Sequence, residues 1–340
     1  MRPARAIPRI AARLATALLV VAVPACAVTD AQLWGRGGQH SPRTCEVAQV
    51  RNVAYYSGPG ADDRRHRLDL FLPRGRHGYP VVVLVHGGAW MLGDKSCCGL
   101  YSAVGDFLAS QGVGVVLPNY RLSPGVKHPE HIKDVARAVA WTKRHIADHG
   151  GDPDRLFLAG HSAGGHLVAL LATDDSYLKA EGLSLGDLKG VIAVSGVYRI
   201  PAGKFDTTLG GATPLAFRVD EVAPLRGDGD DGGKPWTRSG LPLSVNVFGP
   251  AFGDDPAVRA AASPINHVSP GLPPFLLLNA ENDLPTLPDM AKDFADALRK
   301  AGAEVRQTTV RGRNHNSVMF RAIERDDPAA AAILEFVGSH

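Results

Sequence analysis

The sequence predicts an α/β chain built on a mostly parallel, doubly wound sheet with helices on both faces. Three observations carry that expectation. Five runs, Pro80–Val85, Val113–Leu117, Leu156–Ala159, Val191–Val194 and Phe275–Leu278, are apolar at nearly every position, as strands buried on both faces are. Between them lie segments whose apolar residues recur every three or four positions, the period of an amphipathic helix. Strands and helices alternate with short connections, the pattern of a doubly wound α/β sheet.

Taken in order, the first strand falls near Val47–Tyr56 and the second over His66–Leu72, where polar and apolar residues alternate as in a half-buried strand. The five apolar runs follow. Ile132, Val135, Ala136, Val139, Ala140 and Ile146 mark one helix face, and Met290, Phe294, Ala297, Leu298 and Ala301 mark another that stops at Gly302. A last strand over Glu304–Val310 and a helix near Pro328–Val337 complete one α/β domain over residues 47–340. Residues 199–250 break the alternation. They carry little periodicity and the acidic run Asp228, Asp230, Asp231, and a long irregular insertion of this kind reads as a lid or binding loop. Its acidic run lacks the ligand spacing of a calcium loop.

The chain has 340 residues, 45% hydrophobic and 21% charged, which excludes a disordered or collagen-like protein. Arg2, Arg5, Arg9 and Arg13 all precede the first acidic residue, Asp30, so beyond them 33 basic residues face 34 acidic ones. That near-neutral balance excludes an electrostatic footprint for nucleic acid. Leu14–Val23 is too short to span a bilayer, which needs about 20 residues, and matches the core of an export signal. We expect residues 1–26 to be a signal peptide, residues 27–46 a linker, and the mature protein to be periplasmic or membrane-anchored. Val23-Pro24-Ala25-Cys26 resembles a bacterial lipobox with Cys26 as the lipidated residue; cleavage after Ala27 is the soluble alternative. In an oxidising compartment Cys45 has Cys97 and Cys98 as possible disulfide partners.

Gly160-His161-Ser162-Ala163-Gly164 follows the strand ending at Ala159 and precedes the helix-like segment Gly165–Leu171. A strand–turn–helix elbow of this form lifts the serine oxygen above the carboxyl edge of the sheet, so Ser162 is the candidate nucleophile. His86-Gly87-Gly88-Ala89-Trp90 follows the strand Pro80–Val85. Its small residues let backbone N–H groups approach a developing oxyanion, with the N–H of Ala163 as a further donor. The acid should follow a late strand and the base should follow the acid. Phe275–Leu278 leads into Glu281 and Asp283, of which Asp283 lies further out. Downstream only His315 and His340 remain, and His340 is the last residue. Asp283 and His315 are therefore the candidate acid and base, with Glu281 the alternative acid.

With these motifs the chain resembles the α/β-hydrolases of the HGG-containing esterase groups: the hormone-sensitive-lipase-like carboxylesterases and, above all, an exported esterase and kynurenine-formamidase-like branch. Pro118-Asn119-Tyr120-Arg121-Leu122, the Gly150–Arg155 stretch and Gly160–His166 support the resemblance over roughly residues 50–320. It implies a Ser162–His315–Asp283 triad, and an oxyanion hole framed by Gly87, Gly88, Ala89 and Ala163. It further implies ester hydrolysis with neither cofactor nor metal. Ala89 departs from the lipase-like H-G-G-G pattern and leaves open which loop N–H points inward. The expected substrate is a small to medium ester, bound near Trp90, Trp236, Phe248 and Phe252. The alternatives are an arylformamidase, a feruloyl or acetyl carbohydrate esterase, and a non-catalytic binding protein on the same fold. The sequence sets no oligomeric state.

Overall fold

The computed structural model describes residues 43–96, 99–202, 247–324 and 326–340. Residues 1–42, which include the expected export signal with Cys26 and most of the expected linker, lie outside them, as do Cys97, Cys98, Trp236 and the acidic run of the insertion.

Eight strands form one sheet: β1 (Val47–Ala54), β2 (Arg67–Pro73), β3 (Tyr79–Val85), β4 (Gly114–Pro118), β5 (Gly151–His161), β6 (Leu188–Val194), β7 (Phe275–Asn282) and β8 (Val305–Asn314). Their spatial order is β1-β2-β4-β3-β5-β6-β7-β8. β2 runs antiparallel to both neighbours, and β3 through β8 are parallel. The helices among the described residues are α1 (Leu100–Ser110), α2 (Glu130–His145), α3 (Ala163–Thr173), α4 (Ser176–Ala180), α5 (Phe248–Phe252), α6 (Pro256–Ala261), α7 (Leu287–Lys300), α8 (Ser317–Phe320) and α9 (Pro328–Ser339).

The apolar runs are continuous because each strand supplies two cores. Val81, Val83 and Val85 pack on one side with α2, α3 and α7, while Val82 and Leu84 pack on the other with α1 and α9. Leu156 and Leu158 against Phe157 and Ala159, and Phe275 and Leu277 against Leu276 and Leu278, divide in the same way. Burying one such side chain contributes about 1.5–3 kcal/mol, so a polar residue on either face of these strands would be costly. All eleven residues of α3 are buried, as expected of a helix apolar on every side.

From β3 the chain passes through α1 to β4 on one side, and β5 lies on the other side of β3. The helices after β3 and β5 lie on opposite faces, which opens a crevice above the carboxyl ends of those two strands. The structure differs from the sequence reading at several points, three of which shape the site. It adds α1, whose apolar residues Tyr101, Val104, Phe107 and Leu108 cover the sheet. It starts α5 inside the predicted insertion. It extends β7 to Asn282 and β8 to Asn314, because backbone pairing continues beyond the apolar runs through a register shift between Ala280 and Asn282.

Candidate active site

Parallel strands share a carboxyl edge, and five of them each deliver one site residue in the position directly after the strand. His86 follows β3, Ser162 follows β5, Ser195 follows β6, Asp283 follows β7 and His315 follows β8.

Ser162 has φ 56° and ψ −117°, a backbone conformation that a residue with a Cβ adopts only when its surroundings impose it. The surroundings are backbone atoms at very close range. A Cβ at Gly164 would stand 2.1 Å from the Val85 oxygen, and one at Gly160 would stand 2.3 Å from the Gly164 oxygen. Gly164 is therefore obligatory for the elbow to dock against β3, and Gly160 for the first turn of α3 to fold back on the end of β5. The Ser162 N–H donates to the Val194 oxygen at 2.9 Å, and α3 begins at the next residue. The amino end of that helix favours negative charge beside the serine.

Asp283 and His315, the candidate acid and base, lie in direct contact. His315 Nδ1 lies 2.7 Å from Asp283 Oδ1, and the Asp283 side chain is fully buried while that of His315 is 14% exposed. Burial pushes the Asp283 carboxyl up, but hydrogen bonds from His315, the Ser195 hydroxyl and the Leu284 N–H outweigh it and hold the group at about 2. Ser195 donates to Oδ2 at 2.5 Å, the Leu284 N–H to Oδ1 at 2.8 Å and the Ala280 N–H to Oδ2 at 3.1 Å. The competing residues sit elsewhere. Glu281 is exposed and accepts the Gly312 N–H at 2.8 Å, so it serves the irregular end of β8. His340 bonds the Phe336 oxygen and Glu304, and Glu304 precedes β8 at the opposite edge of the sheet.

The loop after β3 turns through three consecutive residues with positive φ: Gly88 (116°), Ala89 (53°) and Trp90 (59°). A Cβ on Gly88 would come 2.3 Å from the Leu92 oxygen. Gly87 abuts the elbow, since its Cβ would meet the His161 oxygen at 2.8 Å and Ser162 Cβ at 3.1 Å. Its N–H, however, donates to the Tyr101 hydroxyl at 2.7 Å. Gly87 thus frames the site by its small size, and not as a donor to an oxyanion. The N–H groups of Gly88, Ala89 and Ala163 have no acceptor among the described residues. They are the donors left for a developing charge.

Three of the four aromatics expected at a pocket come together, but as packed core. Trp90 lies 4.9 Å from Phe252 and 5.8 Å from Phe248, ring centre to ring centre, and the three are 2–3% exposed. The Trp90 indole donates to His166 Nδ1 at 3.2 Å, and His166 Nε2 bonds the Ala262 oxygen at 2.7 Å. These rings back the loop with almost no surface open to a ligand, which corrects their reading as pocket lining. Sequence reasoning missed Ser195 and Tyr101. A serine directly after an apolar run is a faint signal, and nothing in the sequence links Tyr101 to the loop it holds.

With that geometry in place, comparison with known proteins adds the following. The BD-FAE family matches residues 68–196. Esterase LipQ of Mycobacterium tuberculosis is 33% identical over 306 residues, covering 87% of this chain and 64% of LipQ. A probable isoprenylcysteine alpha-carbonyl methylesterase of Arabidopsis thaliana, ICMEL1, is 27% identical over 292 residues, covering 84% of this chain and 53% of that protein. The chain thus spans less than two thirds of the length of these relatives. Among solved structures, inhibited esterase B from Lactobacillus rhamnosis superposes with a TM-score of 0.64 at 21% identity, covering 97% of this chain and 93% of the other. At that identity the likeness is one of fold.

Proposed function

We propose that the chain, which has the fold of a solved esterase and matches the BD-FAE family over residues 68–196, is a serine carboxylic ester hydrolase acting on small to medium esters. The observation that carries this reading is the 2.7 Å Asp283–His315 contact. It lies on the same sheet edge as a serine held at positive φ.

Asp283 stays anionic and accepts the His315 Nδ1–H, which leaves the Nε2 lone pair to take the Ser162 proton. Ser162 Oγ attacks the ester carbonyl, and the N–H groups of Ala163 and of the Gly88–Ala89 turn receive the charge that develops on its oxygen. His315 then gives the proton to the departing alcohol. Water, activated by the same imidazole, releases the acid and restores Ser162. The names of the relatives, esterase and methylesterase, agree with this chemistry.

The experiment is hydrolysis of p-nitrophenyl acetate, butyrate and octanoate beside N-formylkynurenine and methyl ferulate. Turnover of the p-nitrophenyl esters far above either other substrate supports the reading. Preference for the formamide or the ferulate reassigns the substrate class. A folded protein inert toward all of them rules the reading out.

Ser195→Ala measures the support given to the acid. The substitution removes one charge-assisted hydrogen bond, worth about 1.5–3 kcal/mol when fully expressed, while three contacts to Asp283 remain. We expect kcat on p-nitrophenyl butyrate to fall about 10-fold with KM unchanged. An unchanged kcat would mean that the backbone N–H groups suffice to hold Asp283.

A further inference from the structure

Two residues that the acyl-transfer chemistry does not use lie between its parts. Tyr101 in α1 and His161, which precedes Ser162, are both buried. The Gly87 N–H donates to the Tyr101 oxygen at 2.7 Å, that oxygen lies 3.0 Å from His161 Nδ1, and His161 Nε2 lies 2.8 Å from the His315 carbonyl oxygen. The two ends fix the direction of every bond. An amide N–H only donates and a carbonyl only accepts. His161 must therefore carry its proton on Nε2, Nδ1 is a lone pair, and the Tyr101 O–H points at it. Three donors meet three acceptors. Burial pushes the His161 ring down to about 3, so it is neutral and this arrangement holds at ordinary pH. The Phe320 ring packs edge-on against both, with centroids 5.0 Å from Tyr101 and 5.5 Å from His161.

We propose that Tyr101 and His161 are positioning residues that lock the oxyanion loop and the base loop to the nucleophile elbow in one register. The proposal rests on the serine-hydrolase reading above. The bond from His315 to Asp283 fixes the imidazole at Nδ1 only, and the ring can still swing about that contact. Clamping the His315 carbonyl to the residue beside Ser162 supplies a second fixed point. The same ring, through Tyr101, holds the Gly87 N–H and so sets where the next two N–H groups of the loop point. A misplacement of about 1 Å in either loop is enough to cost about 100-fold in rate.

The test is steady-state kinetics with p-nitrophenyl butyrate and titration with a fluorophosphonate on the full chain. The variants are Tyr101→Phe, His161→Leu, His161→Gln and Ser162→Ala. Tyr101→Phe and His161→Leu should lower kcat about 10- to 100-fold with KM within about twofold of wild type. The rate of Ser162 phosphonylation should fall in parallel, while the end point stays at one label per chain. His161→Gln, which keeps an N–H within reach of the His315 carbonyl, should recover to within about threefold of wild-type kcat. Folded Tyr101→Phe and His161→Leu with wild-type kcat would overturn the proposal, as would His161→Gln impaired as badly as His161→Leu. If His161→Leu fails to fold, Tyr101→Phe decides alone. Wild-type protein that neither hydrolyses the ester nor takes up the fluorophosphonate overturns the serine-hydrolase reading, and the positioning role falls with it. Wild-type protein that does both leaves that reading standing whatever the variants do.

Discussion

Replacing Ser162 with alanine is expected to lower ester turnover by about 10⁴- to 10⁶-fold while the chain remains folded. Removing the nucleophile leaves only the oxyanion donors and substrate binding, which retain a small residual acceleration. Ser162→Gly should be equally inactive, yet the two variants should differ in stability. The serine holds φ 56° and ψ −117°, which costs a residue with a Cβ about 1–3 kcal/mol. Alanine keeps the Cβ and hence the strain. Glycine loses it, and recovers part of that energy against the extra entropy of its unfolded state, about 0.5–1 kcal/mol. A net gain of about 1 kcal/mol raises the melting temperature by about 2–4 °C in a domain of this size. Thermal unfolding of the two variants beside a p-nitrophenyl butyrate assay checks both claims. Alanine turnover above about 1% of wild type would remove Ser162 as nucleophile. Equal melting temperatures would mean that the elbow stores no strain.

The strands and the triad candidates were legible because both obey local rules. A strand buried on two faces must be apolar throughout, so Val81–Val85 and Phe275–Leu278 could be read directly. The G-x-S-x-G elbow announces itself because Gly160 and Gly164 touch backbone where no Cβ fits. What stayed hidden depends on contacts across the sequence. The stretch that carries β8 to Asn314 passes Arg311, Gly312 and Arg313, none of which the register pairs with β7, before pairing resumes at Asn314. Ser195 acquires its role only because β6 and β7 lie side by side, which brings a serine to Asp283 from 88 positions away. Trp90 was expected at a pocket because it adjoins the His86–Gly88 motif, and Phe248 and Phe252 because they are large and lie in or beside the insertion. Size and proximity do not distinguish a ring that lines a cavity from one that closes a core. Which loop N–H groups are open to an acceptor stayed hidden as well, because the Gly87 N–H is taken by a hydroxyl 14 residues downstream, a contact with no sequence signature.

Acid should remove this protein's stability in two pH windows of different origin. Five histidines, His86, His128, His131, His161 and His166, are each held below the ordinary value of 6.5, mainly by burial, at about 4, 4, 4, 3 and 3. Their neighbours do not reverse this. Asp94 pulls His86 upward and Arg65 pushes it down; Asp134 and Glu130 oppose His128 and Arg121 at His131; Asp283 opposes His315 at His161; and His128 and His131 push His166 down. Between 6.5 and about 4 the unfolded chain binds protons at these sites and the folded chain does not, so stability falls as pH falls through that window. Each histidine contributes up to about 1.4 kcal/mol per pH unit. Five of them one unit below 6.5 remove about 7 kcal/mol, a large part of the 5–15 kcal/mol that holds an ordinary domain together. Asp134 and Asp283, each held at about 2, act in a lower window. Their depressed values add stability above the ordinary 3.8, and that stability is lost only as pH falls from there toward 2. Urea unfolding at pH 7.5, 6.5 and 5.5 should therefore show a slope that steepens toward the acid side, with about four to five protons taken up on unfolding at pH 5.5. His131→Gln should make the slope shallower by about one proton. A stability flat between pH 7.5 and 5.5 would mean that these rings reach solvent or are already charged in the fold, and the neutral His161 that joins Tyr101 to the His315 loop would lose its basis with them.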